Sequence, residues 1–165
     1  MTLNQKQKGF GLVEVLVSIL ILAVGLLGIA GLQVQSLRFN NEAYLRTQAT
    51  VLANDIIDRM RTNRTAAIDT SSYNFALNDS PTASVTACES NACSAGNIAE
   101  YDFAQWRANI ASALPNGLGS ITPIAKVGSY REYVIQISYN SISIDTTDAA
   151  SSQPTTITFD YRTRI

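Results

Sequence analysis

The feature that most constrains this chain is a run of 23 consecutive residues without a charge, from Val15 to Leu37. About 20 apolar residues, each rising ~1.5 Å, cross a ~30 Å hydrocarbon core as an α-helix. Lys6 and Lys8 precede the run and no acidic residue lies before Glu14, so the start of the chain is expected on the cytoplasmic side. We therefore expect a single helix across the inner membrane, with the residues after it in the periplasm.

A cleaved secretory signal is the alternative explanation of this run. The apolar region of such a signal has about 7–15 residues and ends at a small-residue cleavage site. The run in this chain is longer, and its helical pattern continues beyond it. We therefore favour a membrane span that is retained.

The composition narrows the classes of function. The chain has 165 residues, which allows one ordinary domain or a small domain with a long appendage. Its formal net charge is −1, so we expect no nucleic-acid partner. With no His and only two Cys, the chain lacks the usual imidazole general base and the usual zinc cluster. No convincing carboxylate pair replaces them, so we expect no enzyme, no cofactor and no metal site.

The helical pattern extends well past the apolar run. No proline occurs before Pro81, and no glycine lies between Gly31 and Gly96. Apolar residues recur at steps of three and four on one helix face, namely Leu45, Ala49, Leu52, Ala53, Ile56, Ile57 and Met60. The sequence therefore predicts one helix from residue 10 to about residue 64, apolar all round at first and amphipathic in its second half.

Glu14 is an unusual residue for a membrane span. A carboxylate at the centre of such a helix costs about 2.5–3.5 kcal/mol on insertion scales, and less near the end, where it can face the lipid headgroups. A second interpretation starts from cleavage after Gly9, which would create an ammonium group on Phe10, four residues before Glu14. The two charges could then compensate each other within one helix or between neighbouring helices.

Residues 8–17, which read Lys-Gly-Phe-Gly-Leu-Val-Glu-Val-Leu-Val, resemble the class III signal of type IV pilins and pseudopilins. In that family a prepilin peptidase cuts after the glycine and methylates the new N-terminal Phe. The resemblance implies that Gly9 is the cleavage residue, Phe10 the mature N-terminus and Glu14 the membrane glutamate that acts in assembly. It divides the chain into a leader at 1–9, a membrane and assembly half of the helix at 10–37, an amphipathic half at 38–64 and a periplasmic head at 65–165.

Within the family, three stretches are similar to minor pilins of the type IV pilus: residues 23–33, residues 52–64, and Trp106 followed by residues 114–119. This likeness implies a structural subunit that helps prime pilus assembly and supports twitching and adhesion. Its implied partners are the prepilin peptidase, other minor pilins, the major pilin, the assembly platform in the inner membrane and a tip adhesin. Its implied location is the inner membrane before assembly and the pilus at the cell surface afterwards.

One departure from the family concerns the middle of the apolar helix. Many major pilins carry a proline near the position of Gly31, whereas this chain has Gly25, Gly28 and Gly31. Glycine destabilises a helix by about 1 kcal/mol, against about 3 kcal/mol for proline. Local melting of this stretch on assembly is therefore feasible but not required.

The first part of the head is polar. Residues 62–97 are rich in Ser, Thr, Asn, Asp and Ala, which predicts a long loop with one short strand near residues 73–77. Cys88 and Cys93 lie in this segment and are expected to pair in an oxidising periplasm. Metal binding would need more ligands, and a redox function would favour a Cys-x-x-Cys spacing.

The rest of the head combines a helix with strands, as in an α+β fold. Phe103, Trp106, Ile110 and Leu114 predict an amphipathic helix over 101–114, in which Trp106 is a core anchor rather than a ligand platform. Alternating apolar residues predict one strand from Tyr133 to Tyr139 and another over 156–162, with a polar turn at 145–154 between them. We expect a small antiparallel sheet that packs one face against the long helix.

Two other functions share some of these features. A pseudopilin of a type II secretion system would have the same signal and long helix. The glycine-rich span and the sequence Asp-Arg-Met-Arg-Thr-Asn-Arg that ends residues 52–64 favour the pilus instead. A membrane-anchored periplasmic ligand-binding protein, a different class, could use the polar segment at 71–97 as its binding loops. Solvation explains the polarity of that segment equally well.

Overall fold

The computed structural model describes residues 9, 11–80, 87–90, 92–142 and 154–165. The elements in chain order are helix α1 (Leu12–Thr62), a π-helical turn (Thr65–Asp69), the short helix α2 (Ala87–Ser90), helix α3 (Ala95–Ala113) and strands β1 (Leu118–Val127), β2 (Tyr130–Ile142) and β3 (Pro154–Arg164). The chain divides into two compact units, one up to Asn41 and one from Glu42 onward. The fold class is α+β with a long N-terminal helix, as predicted.

The part of α1 in the first unit exposes its apolar side chains on all sides. The large apolar residues from Leu12 to Leu37 are each about half exposed or more in this chain. Within the described residues, α1 is the one helix that is long and apolar enough to cross a membrane. This pattern is consistent with the predicted membrane anchoring, because side chains without protein neighbours need an apolar surrounding.

The part of α1 in the second unit is amphipathic. Its buried residues are the seven predicted from spacing, namely Leu45, Ala49, Leu52, Ala53, Ile56, Ile57 and Met60. They join one core with apolar residues of α3, β1 and β2. The prediction for this face is confirmed, since a helix that packs on one side buries residues at steps of three and four.

Helix α3 begins earlier than the sequence predicts. The Ser94 side chain accepts a hydrogen bond of 3.2 Å from the Asn97 backbone N–H and caps the helix at its start, six residues before position 101. Ala95, Gly96 and Asn97 carry no large apolar side chain, so the first turn lacks the periodicity on which the prediction depended. The end of the helix agrees with the prediction, because Ala113 is its last residue and Pro115 follows two positions later.

The sheet is antiparallel, with strand order β1-β2-β3. Tyr133, Ile135, Ile137 and Tyr139 are fully buried, as their alternation predicts. The register places Ile137 opposite Gly119 of β1 on one side and opposite Phe159 of β3 on the other. The two predicted strands are confirmed as parts of β2 and β3.

Strand β1 is an element that sequence reasoning missed. Its sequence includes Pro123, which cannot donate a backbone hydrogen bond, and a bulge lies between Pro123 and Ala125. Both features interrupt the alternation of apolar and polar residues from which a strand is recognised. The strand forms nonetheless because Ile121 is buried in the core and pairs with Ile135.

The expectation of a long loop over residues 62–97 is wrong for part of that segment. The π-helical turn buries Ala66, Ala67 and Ile68, small or apolar side chains that continue the core beyond α1. The short strand expected near 73–77 is reduced to one bridge, in which Phe75 and Ile121 exchange two backbone hydrogen bonds of 2.9 Å. Residues 81–86 lie outside the described residues, and so does the predicted polar turn at 145–154 except for Pro154, which is the first residue of β3.

Candidate functional site

The first candidate site is the start of α1. The carbonyl oxygen of Gly11 accepts hydrogen bonds from the backbone N–H groups of Glu14, at 3.0 Å, and Val15, at 3.4 Å. Gly9 is exposed, and a side chain added there or at Gly11 would meet no atom within 4 Å. The predicted cleavage residue is therefore accessible in this chain. Phe10, the predicted mature N-terminus, lies outside the described residues.

Glu14 lies in the first turn of α1 with an exposed side chain. Its backbone carbonyl accepts a hydrogen bond of 2.7 Å from Ser18 Oγ. Its carboxylate forms no hydrogen bond or ion pair with any residue that the structure describes. The positive end of the helix dipole favours a negative charge at this position. The carboxylate is thus placed on an apolar helix where it can meet a cation of another molecule.

Three glycines lie on the exposed apolar part of α1. A Cβ at Gly25, Gly28 or Gly31 would meet nothing within 4 Å, so packing inside this chain does not require glycine there. The helix continues through all three positions. In apolar surroundings, small residues allow helices to approach each other closely. These positions therefore suit contact with the helix of another subunit.

In the second unit, a partly buried polar cluster holds the end of α1 against α3. Tyr73 is fully buried and its hydroxyl donates a hydrogen bond to the Asp102 carboxylate. Arg59 donates to Asp102 Oδ1 at 3.5 Å and, through Nε, to Asp55 at 3.1 Å. Asn63 Nδ2 donates to the Tyr73 hydroxyl at 3.3 Å. The cluster fastens the last turns of the long helix to the head.

Burial and neighbouring charges change the pKa values of Tyr73 and Arg59 in this cluster. Burial, and then the hydrogen bond to Asp102, raise the pKa of Tyr73 well above its ordinary value. Burial lowers the pKa of Arg59, but the neighbouring carboxylates of Asp55 and Asp102 outweigh it, so that the pKa is raised overall. Sequence reasoning missed this cluster. The signal that could have revealed it is Asp102, a carboxylate that lies beside Phe103 on the apolar face of α3.

Trp106 is a core anchor, as predicted. Its side chain is fully buried, and the indole Nε1 donates a hydrogen bond of 2.8 Å to the carbonyl oxygen of Leu52 in α1. Gly119 of β1 lies directly against the indole, since a Cβ at Gly119 would be 2.5 Å from Trp106 Cη2. Trp106 and Gly119 therefore form the contact between α1, α3 and β1.

Cys88 and Cys93 form a disulfide, with their Cα atoms 5.4 Å apart. Cys88 lies in α2, and Cys93 directly precedes Ser94, the cap of α3. The bond therefore ties α2 to the start of α3. In the described part of the chain, no group of three or more His, Cys, Asp or Glu residues could hold a metal ion.

An exposed apolar helix with an acidic residue in its first turn, joined to a small α+β head, is consistent with a subunit that is anchored in a membrane by its N-terminal helix. Comparison with known protein families supports the same class of protein. The family described as type IV pilin Tt1218 matches residues 31–104, and the prokaryotic N-terminal methylation motif matches residues 4–30. Together the two matches support a type IV pilin. No curated protein and no solved structure gives a significant match to it.

Proposed function

We propose that this chain is a minor pilin of a type IV pilus, similar to the PilV group, and that it helps to prime pilus assembly together with other minor pilins. One observation carries the proposal: the Glu14 carboxylate is exposed on an apolar helix and has no partner among the described residues of its own chain. A charge in such a place is costly unless another molecule compensates it.

The proposed pathway begins with the precursor in the inner membrane. Lys6 and Lys8 hold the leader on the cytoplasmic side, and the helix over 10–37 spans the bilayer. The prepilin peptidase then removes residues 1–9 and methylates the amino group of Phe10. The apolar helix finally moves from lipid into the helical core of the filament, where neighbouring helices replace lipid contacts with protein contacts.

Glu14 sets the register of assembly in this pathway. Its carboxylate would meet the Phe10 ammonium group of an adjacent subunit, because any other register leaves a charge unpaired in an apolar surrounding. The amphipathic half at 38–64 then supports the head at 65–165, which faces the periplasm before assembly and the cell surface afterwards. The major pilin, the assembly platform and a tip adhesin are the further partners that this position implies.

The intact mass and N-terminal sequence of the protein from its native membrane test the processing step. We expect a chain that begins at Phe10 and carries one additional methyl group. Replacing Gly9 with Val should leave the leader attached, whereas Gly11→Ala is the matched control, since both glycines have open space around them. If the chain isolated from cells with an active prepilin peptidase still begins at Met1, the proposal is overturned.

A deletion strain separates the pilus from the secretion system. Loss of pili and twitching supports the proposed function. Loss of exoprotein release with normal pili would instead assign the chain to a type II secretion system as a pseudopilin.

A further inference from the structure

An open cleft of about 600 Å³ lies on the head, and arginines dominate its charge. Its lining includes Arg61 from α1, Arg162 and Arg164 from β3, Glu132 from β2 and Ile124 from β1. Three guanidinium groups against one carboxylate give this cleft a positive charge, although the whole chain has a net charge of −1. A local reversal of charge in a cleft attracts ligands of the opposite sign.

One of the three guanidinium groups is free. Arg164 donates a hydrogen bond of 2.8 Å to Glu132, and Arg61 donates one of 2.9 Å to Asp58. The Arg162 side chain is exposed and has no hydrogen bond or ion pair with any described residue. Arginine binds carboxylates in a planar, bidentate geometry, so Arg162 can take one carboxylate without breaking an existing pair.

The register of the sheet places Arg162 and Arg164 side by side. Arg162 pairs with Val134 and Arg164 with Glu132, on the face of the sheet that points away from the buried Tyr133. A ligand in extended conformation would present alternate side chains to the same face at the same spacing.

The cleft also has an apolar wall. Pro123 pairs with Tyr133 and Ala125 with Glu132, so Ile124 is the extra residue of the bulge in β1. Its side chain is 51% exposed, which leaves an apolar group beside the arginines. Bulges commonly redirect a side chain next to a binding site.

The backbone next to the cleft offers a second kind of contact. Strand β3 is at the edge of the sheet, and in the described part of the chain it pairs only with β2. The N–H and C=O groups on its other side can therefore accept a further strand. Extended peptides bind such edges through main-chain hydrogen bonds, while alternate side chains provide specificity.

We propose that β3 and this cleft bind an extended acidic segment of another polypeptide as an added strand, with one of its carboxylates on Arg162. The added strand supplies the main-chain hydrogen bonds, and Arg162 supplies the charge selection. The opposing interpretation is that the arginines only protect an edge strand from aggregation. In that case no acidic peptide binds.

The test uses the full chain, purified in detergent, and a fluorescent peptide that alternates Glu with Thr and Val. We expect saturable binding by fluorescence anisotropy and at least tenfold weaker binding for Arg162→Glu. Arg64→Glu is the matched control, because it changes the charge equally but Arg64 does not line the cleft. An unchanged near-ultraviolet spectrum of Trp106 verifies that each variant is folded.

A second peptide tests the added strand itself. Methylation of alternate backbone nitrogens keeps the charges and removes the main-chain donors, so we expect binding to fall at least tenfold. The proposal is overturned if the unmodified peptide does not bind, if Arg64→Glu weakens binding as much as Arg162→Glu, or if the methylated peptide binds equally well. Equal binding of a peptide with Lys in place of Glu would also overturn it.

Discussion

Trp106 in α3 donates its indole N–H to the backbone carbonyl of Leu52, in the middle of the amphipathic half of α1, at 2.8 Å. Residues 54 positions apart in the sequence are thereby joined in the buried core. Because Gly119 of β1 lies against the six-membered ring of the same indole, one side chain links α1, α3 and the sheet.

Replacing Trp106 with Phe should destabilise the head. The variant keeps an aromatic ring but loses the hydrogen bond to Leu52 and leaves a cavity, and we expect a loss of about 2–4 kcal/mol from the two effects together. Urea unfolding followed by far-ultraviolet circular dichroism measures it, since the variant no longer contains a tryptophan. An unchanged midpoint would show that the indole does not anchor α1.

Gly119→Ala should destabilise the protein by about 1–3 kcal/mol through overpacking, because the new methyl group would be 2.5 Å from the indole. Gly96→Ala is the control. Gly96 lies in the first turn of α3, and its added methyl group would approach only Ser72 Oγ, at 3.7 Å. We expect this control to be neutral or slightly stabilising, since Ala favours helix. Equal losses in both variants would contradict the contact between β1 and Trp106.

Stability should fall at alkaline pH because of two buried tyrosines. Burial raises the pKa of Tyr133 to about 12, and burial with the Asp102 hydrogen bond raises the pKa of Tyr73 above its ordinary 10.0. A raised pKa in the folded state means that the stability is fully present below pH 10 and is lost as the pH rises through the folded values. Urea midpoints between pH 8 and pH 12 measure this slope.

Tyr73→Phe should make that alkaline slope shallower, because the variant no longer buries the hydroxyl group that titrates. At neutral pH the same variant should be less stable than the parent, since Asp102 loses a buried donor. Tyr44→Phe, at an exposed position of α1, is the control and should change neither value. A Tyr73→Phe slope equal to the parent's would mean that Tyr73 does not contribute to it.

Glu14→Ala should leave membrane insertion intact and reduce the incorporation of the chain into pili. Removing a charge from the span makes insertion easier, whereas assembly loses the group that we propose sets the register. Immunoblots of the membrane fraction and of sheared pili measure the two steps. Ser18→Ala, which removes only the hydrogen bond to the Glu14 carbonyl, is the control. If the Glu14→Ala variant is incorporated into pili at the normal level, Glu14 does not set the register of assembly.

Periodicity explains which parts of the head were predicted. Apolar residues repeat at regular steps along the buried face of α1 and along the strand from Tyr133 to Tyr139. A regular pattern of this kind shows from the sequence which side chains are buried. Strand β1 escaped because Pro123 and the bulge at Ile124 break the alternation. The start of α3 escaped because its first three residues, Ala95, Gly96 and Asn97, are small or polar.

The candidate sites also divide into those that the sequence predicts and those that it does not. Local sequence is enough to predict the methylation motif around Gly9 and Glu14, the apolar helix and the likeness to type IV pilins, because a motif and an apolar run are contiguous in the chain. Folding is needed to bring the Tyr73 hydroxyl to Asp102, 29 positions away, and to place Arg162 in a cleft with Ile124. Such contacts depend on strand register and helix packing, and the free energy that selects them comes from the whole core rather than from any short segment.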